Sequence, residues 1–301
     1  MNKFAIFGDS TCDLTTEQRK TNNIEYARML CNWVDKEKKE HEIFADLDWT
    51  EMTPSEYYNI MRDGSTIMTA QVTEQEFDLK FVPFFEKGMD ILYIACSSKL
   101  SASGSLAVRL FNEKYSKIYP NCKLIVIDSL RSVMAQGLIV LEAAKLRDEG
   151  LTIDEVAKKI EETKNTFNQS ATVEDLTTLG KHGRVKASAA FFGNIFGVKP
   201  ILIADALGNN FAIEKCKGRR NALMRVASLV KERVIDPANQ ICYVCEADVK
   251  QEDLDLLVNQ LKQIGFKSVE TQKLGPIISA SCGPATVGVY YKGQPELRKG
   301  E

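Results

Sequence analysis

Hydroxyl-bearing residues gather in this chain where hydrophobic runs stop. Asp9-Ser10-Thr11 follows one such run, Cys96-Ser97-Ser98-Lys99-Leu100-Ser101 a second, and Asp128-Ser129 a third. Each run precedes a helical pattern, so each break reads as the carboxyl end of a strand in a parallel α/β sheet. Ligands of such sheets bind in the crevice outside those ends, where the strand order reverses. Serine and threonine hydroxyls there can hold a ligand's oxygen atoms without supplying charge or a nucleophile. That chemistry suits binding better than bond breaking.

Each candidate also has an ordinary structural use. Asp9, Ser10, Thr11 and Asp13 are residues that cap helices and close turns. Ser97, Ser98, Ser101 and Ser103 surround the start of the next helix, and capping accounts for one or two of the four. The rest, with exposed N–H groups at the helix start, would make a cradle for a carboxylate or phosphate. Thr69 stands in a loop just before Thr73-Glu74-Gln75-Glu76, a capping box that uses Thr73 itself. Arg184 lies in Lys181-His182-Gly183-Arg184, ahead of a stretch rich in Ala and Phe that could wall an apolar tunnel. It would serve equally as a surface ion pair. Ser281 opens Ser281-Cys282-Gly283-Pro284, which reads as a turn between two strands, Ile277–Ser281 and Thr286–Tyr291.

The elements that must position these residues fall into two halves. Strands and helices alternate through about residue 150, which indicates a parallel, doubly wound sheet covered by helices on both faces. After a linking helix capped at Thr152, strands near 170–173, 199–203, 240–246 and 286–291 fit a mixed sheet. Leu207-Gly208-Asn209-Asn210-Phe211 forms its hairpin turn. The expected domains are 1–165 and 166–301, both α/β. Residues 293–301 read as a loose tail.

Composition narrows the function classes. The 301 residues are 44% hydrophobic and 27% charged with a net charge of −2, which fits a globular protein and not a nucleic-acid binder. No apolar stretch approaches the roughly 20 residues that span a bilayer, and the N-terminal run is too short for a secretory signal, so a cytoplasmic location is expected. Eight cysteines are too sparse for a disulfide scaffold. Cys242 and Cys245 share one strand pattern, whose period of two puts them on opposite faces and argues against a metal or redox pair. With His41 and His182 the only histidines, a Ser-His-Asp triad is disfavoured, and no phosphate loop or dinucleotide fingerprint occurs. No metal and no cofactor are expected.

In order along the chain, the motifs resemble the DegV family of bacterial lipid-binding proteins. The likeness runs from Phe4 to about Gly293. It rests on Asp9-Ser10-Thr11-Cys12-Asp13-Leu14, Ser97-Ser98-Lys99-Leu100-Ser101 and Val126-Ile127-Asp128-Ser129. Leu179-Gly180-Lys181-His182-Gly183-Arg184-Val185, Lys199-Pro200-Ile201-Leu202, and Gly283-Pro284 with Gly288 reinforce it. The resemblance implies two α/β domains with a long-chain fatty acid between them. It implies a carrier with no catalysis of its own, presenting the carboxylate to a separate ATP-dependent fatty acid kinase, with at most transient membrane contact. Thr69 and the Ser97-Ser98 pair match the family's carboxylate-binding residues, and Arg184 matches an arginine near the pocket mouth. Asp9 and Ser10 are further candidates there for the mouth or for partner contact.

Three positions depart from the family pattern. Ser281 stands where the family usually has a histidine, His182 where it has a glycine, and Thr69-Ala70-Gln71-Val72-Thr73 replaces Thr-Ser-Gln-Pro-Ser. Ser281 is the expected substitute donor to the carboxylate. Two alternatives stay open: an enzyme acting alone on an acyl or phosphoryl ester with Asp9 or Asp128 as base, and a paralogue with an altered ligand and a regulatory role.

Overall fold

The computed structural model describes residues 4–174, 176–187 and 197–300. The apolar stretch expected as a tunnel wall falls largely at 188–196, outside the described residues. Within them the chain forms three sheets. The first comprises β1 (Ala5–Asp9), β2 (Ile24–Ala27), β6 (Ile91–Ala95) and β7 (Leu124–Asp128), all parallel, in the order β2-β1-β6-β7. Strands β1 and β6 are buried along their whole length, as continuous apolar runs require when helices cover both faces. The order turns back at β1, so the crevice lies beside the ends of β1 and β6.

A small antiparallel sheet of β3 (Leu30–Val34), β4 (Glu40–Phe44) and β5 (Met68–Ala70) stands above those ends. The mixed-charge run 36–40 forms the hairpin tip between β3 and β4. The helices α1 (Thr16–Thr21), α2 (Pro54–Arg62), α3 (Glu74–Phe85) and α4 (Ser103–Leu110) follow. The last continues through a π-helical turn at Phe111–Tyr115 into α5 (Ser116–Ile118). Then come α6 (Val133–Asp148) and α7 (Ile153–Thr163), the latter opened by the Thr152–Glu155 capping box.

The six-stranded sheet is mixed and runs β10-β9-β8-β13-β11-β12. Its strands are β8 (Phe167–Thr172), β9 (Val198–Ala204), β10 (Asn210–Lys217), β11 (Ile241–Ala247), β12 (Ser268–Lys273) and β13 (Thr286–Lys292). Helices α9 (Arg219–Arg233) and α10 (Gln251–Lys262) pack on one face, while α8 (Thr177–Lys181) packs on α11 (Pro276–Cys282), which lies against β3, β5 and α2. Cys242 and Cys245 do sit on opposite faces, one in the α9–α10 core and the other in the main core.

Two expectations are corrected. The segment taken for a strand at Ile277–Ser281 is α11, with Gly275 and Pro276 starting a buried helix that period alone does not distinguish from a strand. The tail is docked, not loose: Glu296 is 2% exposed, salt-bridged to Arg233 and Arg298, and the Gly300 amide donates to Asp205.

The halves are joined through buried polar contacts and a shared core. Arg131, 1% exposed, donates to the carbonyls of Phe167, Asp205, Leu130 and Asn165. Burial lowers its pKa to about 10, so it remains charged at neutral pH, and those carbonyls compensate its desolvation. Tyr57 and Tyr58 of α2 bond Pro276 and Ser279 of α11. Among the described residues no helix is long and apolar enough to cross a membrane.

Candidate functional site

A cavity of about 420 Å³ lies between the carboxyl ends of the parallel sheet and the inner face of the mixed sheet. That volume falls in the range of about 300–1,000 Å³ typical of small-molecule sites. Its walls are mainly apolar, with Val133, Leu202, Leu274, Ile277 and Ile278 contributed by both halves.

Polar groups cluster on one part of the lining. Thr69 is the central residue of β5, which pairs with β3 through Cys31. The following loop is held by Ser103, whose hydroxyl accepts from the Val72 amide at 3.1 Å. Thr69 therefore projects from a strand fixed at both ends, and its hydroxyl has no partner among the described residues. Ser98 also lines the cavity, at the turn after β6, where Asp128 accepts from its amide at 3.2 Å. Arg184 reaches the lining with its Nε directed to the Leu100 carbonyl at 3.4 Å and its Nη1 to the His182 carbonyl. Ser281 lines the cavity too, but its hydroxyl donates to the Ile277 carbonyl at 3.0 Å within α11.

The expected site residues divide accordingly. Thr69, Ser98, Arg184 and Ser281 are brought together on one cavity, whereas Asp9, Ser10 and Ser97 do not line it. Ser97 is fully buried and donates to the Gly208 carbonyl at 2.7 Å, tying the β9–β10 hairpin to the first sheet. Ser10 accepts from the Met29 amide at 2.9 Å and holds the β2–β3 connection. Asp9 accepts from the Thr11 amide and hydroxyl, Tyr93, the Cys96 amide and Gln136. A carboxylate so fully bonded organises the strand ends, and it is placed to shape the cavity through Thr11 and Cys96, which do line it.

His182 is 3% exposed, and neither ring nitrogen meets hydrogen-bond geometry among the described residues, although the Ala280 backbone lies close enough to oppose the shift of its pKa. Burial, then the charges of Arg184 and Lys181, lower its pKa below the ordinary imidazole value, so it is neutral at pH 7. Sequence reasoning missed Gln169, Asn210 and Tyr290, which line the cavity from the mixed sheet. Their signal was the period of two along β8 and β13, which puts Gln169 and Tyr290 on the face opposite the α9–α10 core.

The fold and cavity define an α/β protein with a cavity between a parallel sheet and a mixed sheet. Within that class the chain belongs to the DegV family: the model described as "Uncharacterised protein, DegV family" matches residues 3–293. A DegV domain-containing protein of Clostridium perfringens is 30% identical over 294 residues, covering 97% of this chain and 98% of its own. The structure is similar to a DegV lipid-binding protein from Thermotoga maritima, with a TM-score of 0.81 at 23% identity, covering 98% of this chain and 99% of that one. It is equally similar to a DegV family protein of Thermus thermophilus described by its fatty-acid binding, with a TM-score of 0.81 at 21% identity and 97% and 100% coverage.

Proposed function

We propose that this protein binds a long-chain fatty acid in the inter-sheet cavity and presents its carboxylate to a separate ATP-using kinase. The observation that carries the reading is the cavity itself: apolar walls from both halves, with the Thr69 and Ser98 hydroxyls on its lining. Solved DegV proteins described as fatty-acid binding share the fold.

Burial of an acyl chain contributes about 0.8 kcal/mol per CH₂, so ~15 methylenes supply on the order of 12 kcal/mol before ordering costs. The carboxylate must then be hydrogen-bonded, because an unpaired buried charge is very costly. Hydroxyls at Thr69 and Ser98, with Ser281 turning from the Ile277 carbonyl, meet that need and leave one carboxylate oxygen free. That oxygen would attack the γ-phosphorus of ATP on the partner, releasing ADP and forming an acyl phosphate. Both carboxylates considered as bases in a lone enzyme are committed elsewhere. Asp9 holds Thr11 and Cys96, and Asp128 accepts from the Ser98 and Leu130 amides.

Mass spectrometry of organic extracts from freshly purified protein, beside its native mass, tests the binding step. A stoichiometric fatty acid is expected; protein that is free of lipid and refuses added fatty acids overturns it. The kinase step is tested by adding partner kinase and ATP to loaded protein and trapping acyl phosphate with hydroxylamine. Loaded protein that yields no acyl hydroxamate overturns that step and directs attention to a regulatory paralogue.

A further inference from the structure

The first turn of α6 meets the cavity without an acceptor of its own. Ser132, at its N-cap, and Val133 both line the cavity. An N-cap serine ordinarily accepts from an amide of the first turn. Ser132 makes no such bond, and among the described residues the Val133, Met134 and Ala135 amides have no acceptor. The Ser132 residue is 4% exposed, and its hydroxyl has no partner among the described residues. That hydroxyl is not sealed in protein, as the Gln169 Oε1 is, but keeps surface on the cavity.

Ser132 stands next to the head-group site. The Ser97 amide donates to the Arg131 carbonyl at 2.8 Å, so Ser98 and Ser132 follow two residues that one hydrogen bond joins. Other hydroxyls at these strand ends are engaged. Thr11 donates to Asp9, Ser129 donates to the Arg131 carbonyl, and Ser281 would first have to leave the Ile277 carbonyl. Ser132 breaks no bond to reach a ligand. Charge points the same way. Asp9 and Asp128 end β1 and β7, and Asp9 holds the cavity-lining Thr11 and Cys96 from behind. Neutral hydroxyls alone would leave a ligand carboxylate facing those charges without compensation. The start of a 16-residue helix carries about half a positive charge on outward-directed amides. A free O–H beside free N–H groups is complementary to an oxyanion, which only accepts.

We infer that the ligand's carboxylate is seated at the N-terminus of α6, where Ser132 donates to it alongside Ser98. The inference rests on the fatty-acid reading above and deepens it by naming what compensates the head-group charge. Ser132 is then a binding residue that takes part in no cap, and the helix behind it supplies the positive end that the hydroxyls lack.

The test titrates palmitic and oleic acids into the parent protein and into Ser132→Ala, Ser132→Thr and Ser132→Asp, with urea titration of each lipid-free protein beside it. Ser132→Ala should weaken both acids about tenfold, as loss of one hydrogen bond to a charged group provides. Its urea midpoint should stay near the parent's, because no bond within the protein is removed. Ser132→Thr keeps the hydroxyl and should restore affinity to within about threefold of the parent. Ser132→Asp separates binding from capping. Its carboxylate supplies the missing acceptor to the first turn and should raise the urea midpoint. The same carboxylate meets the ligand's like charge and should weaken both acids about a hundredfold. Unchanged affinity in Ser132→Ala overturns the inference and leaves the fatty-acid reading standing. A loss that Ser132→Thr does not restore, or a Ser132→Asp protein that binds the acids as tightly as the parent, also overturns it. A parent protein that binds neither acid overturns both readings.

Discussion

The Asp9 carboxylate holds Thr11 twice, through its amide at 3.0 Å and its hydroxyl at 2.5 Å. The same hydroxyl lies 2.6 Å from Gln136 on α6, so a cavity-lining threonine is fixed by residues that do not touch the cavity. Asp9→Ala strands the Thr11 and Cys96 amides and the Tyr93 hydroxyl in a buried place. It should cost about 3 kcal/mol or more of unfolding free energy by urea titration. Loss below about 0.5 kcal/mol would show that the network is not structural.

Thr69→Ala and Ser98→Ala remove hydroxyls that bond no other side chain among the described residues. Each should weaken fatty-acid affinity by about tenfold while moving the urea midpoint little. Isothermal titration with one saturated fatty acid checks this, and unchanged affinity in both variants would remove them from the site.

Ser97→Ala should behave in the opposite way, although Ser97 adjoins Ser98. Its hydroxyl links the first sheet to the Gly208 carbonyl, so about 1 kcal/mol of stability should go. Faster amide exchange around residues 205–209 would report the loosened hairpin. A Ser97→Ala protein with native exchange there and lowered affinity would return Ser97 to the head-group site.

Asp13 gives a pH dependence of definite sign. Burial raises its carboxyl pKa well above 3.8, against the opposing effect of the Gly275 amide, and neither oxygen meets hydrogen-bond geometry among the described residues. The folded protein therefore retains a proton that the unfolded chain releases. The stabilising contribution is complete below the unfolded pKa and is lost as pH rises toward the folded one. Asp13→Asn should be more stable than the parent at pH 8, with the advantage growing by up to about 1.4 kcal/mol per pH unit above the unfolded value. Urea midpoints at pH 5 and pH 8 decide it; a constant difference would mean that Asp13 is ionised in the folded state.

Much of the frame was legible because it rests on local periodicity. Apolar runs ending at Asp9, Cys96 and Asp128 marked parallel strands, and alternation separated Cys242 from Cys245. Short apolar runs were not decidable in the same way. Ile277–Ser281 carries no period long enough to tell helix from strand, and Pro276 settled it by starting α11. The tail's composition looked loose because its partners, Arg233 and Asp205, lie far away in the chain.

By itself the sequence determined the α/β class, the strand ends that border the cavity, and the set of hydroxyls gathered there. Only the tertiary structure decided which hydroxyls are free. Ser97 is spent on a carbonyl 111 residues away, while Ser98 beside it faces the cavity. Gln169 meets Asn210 only because β8 and β10 flank β9 in the mixed sheet. The physical reason is that residue type fixes how many hydrogen bonds a group can make, whereas long-range packing decides how many remain unmade.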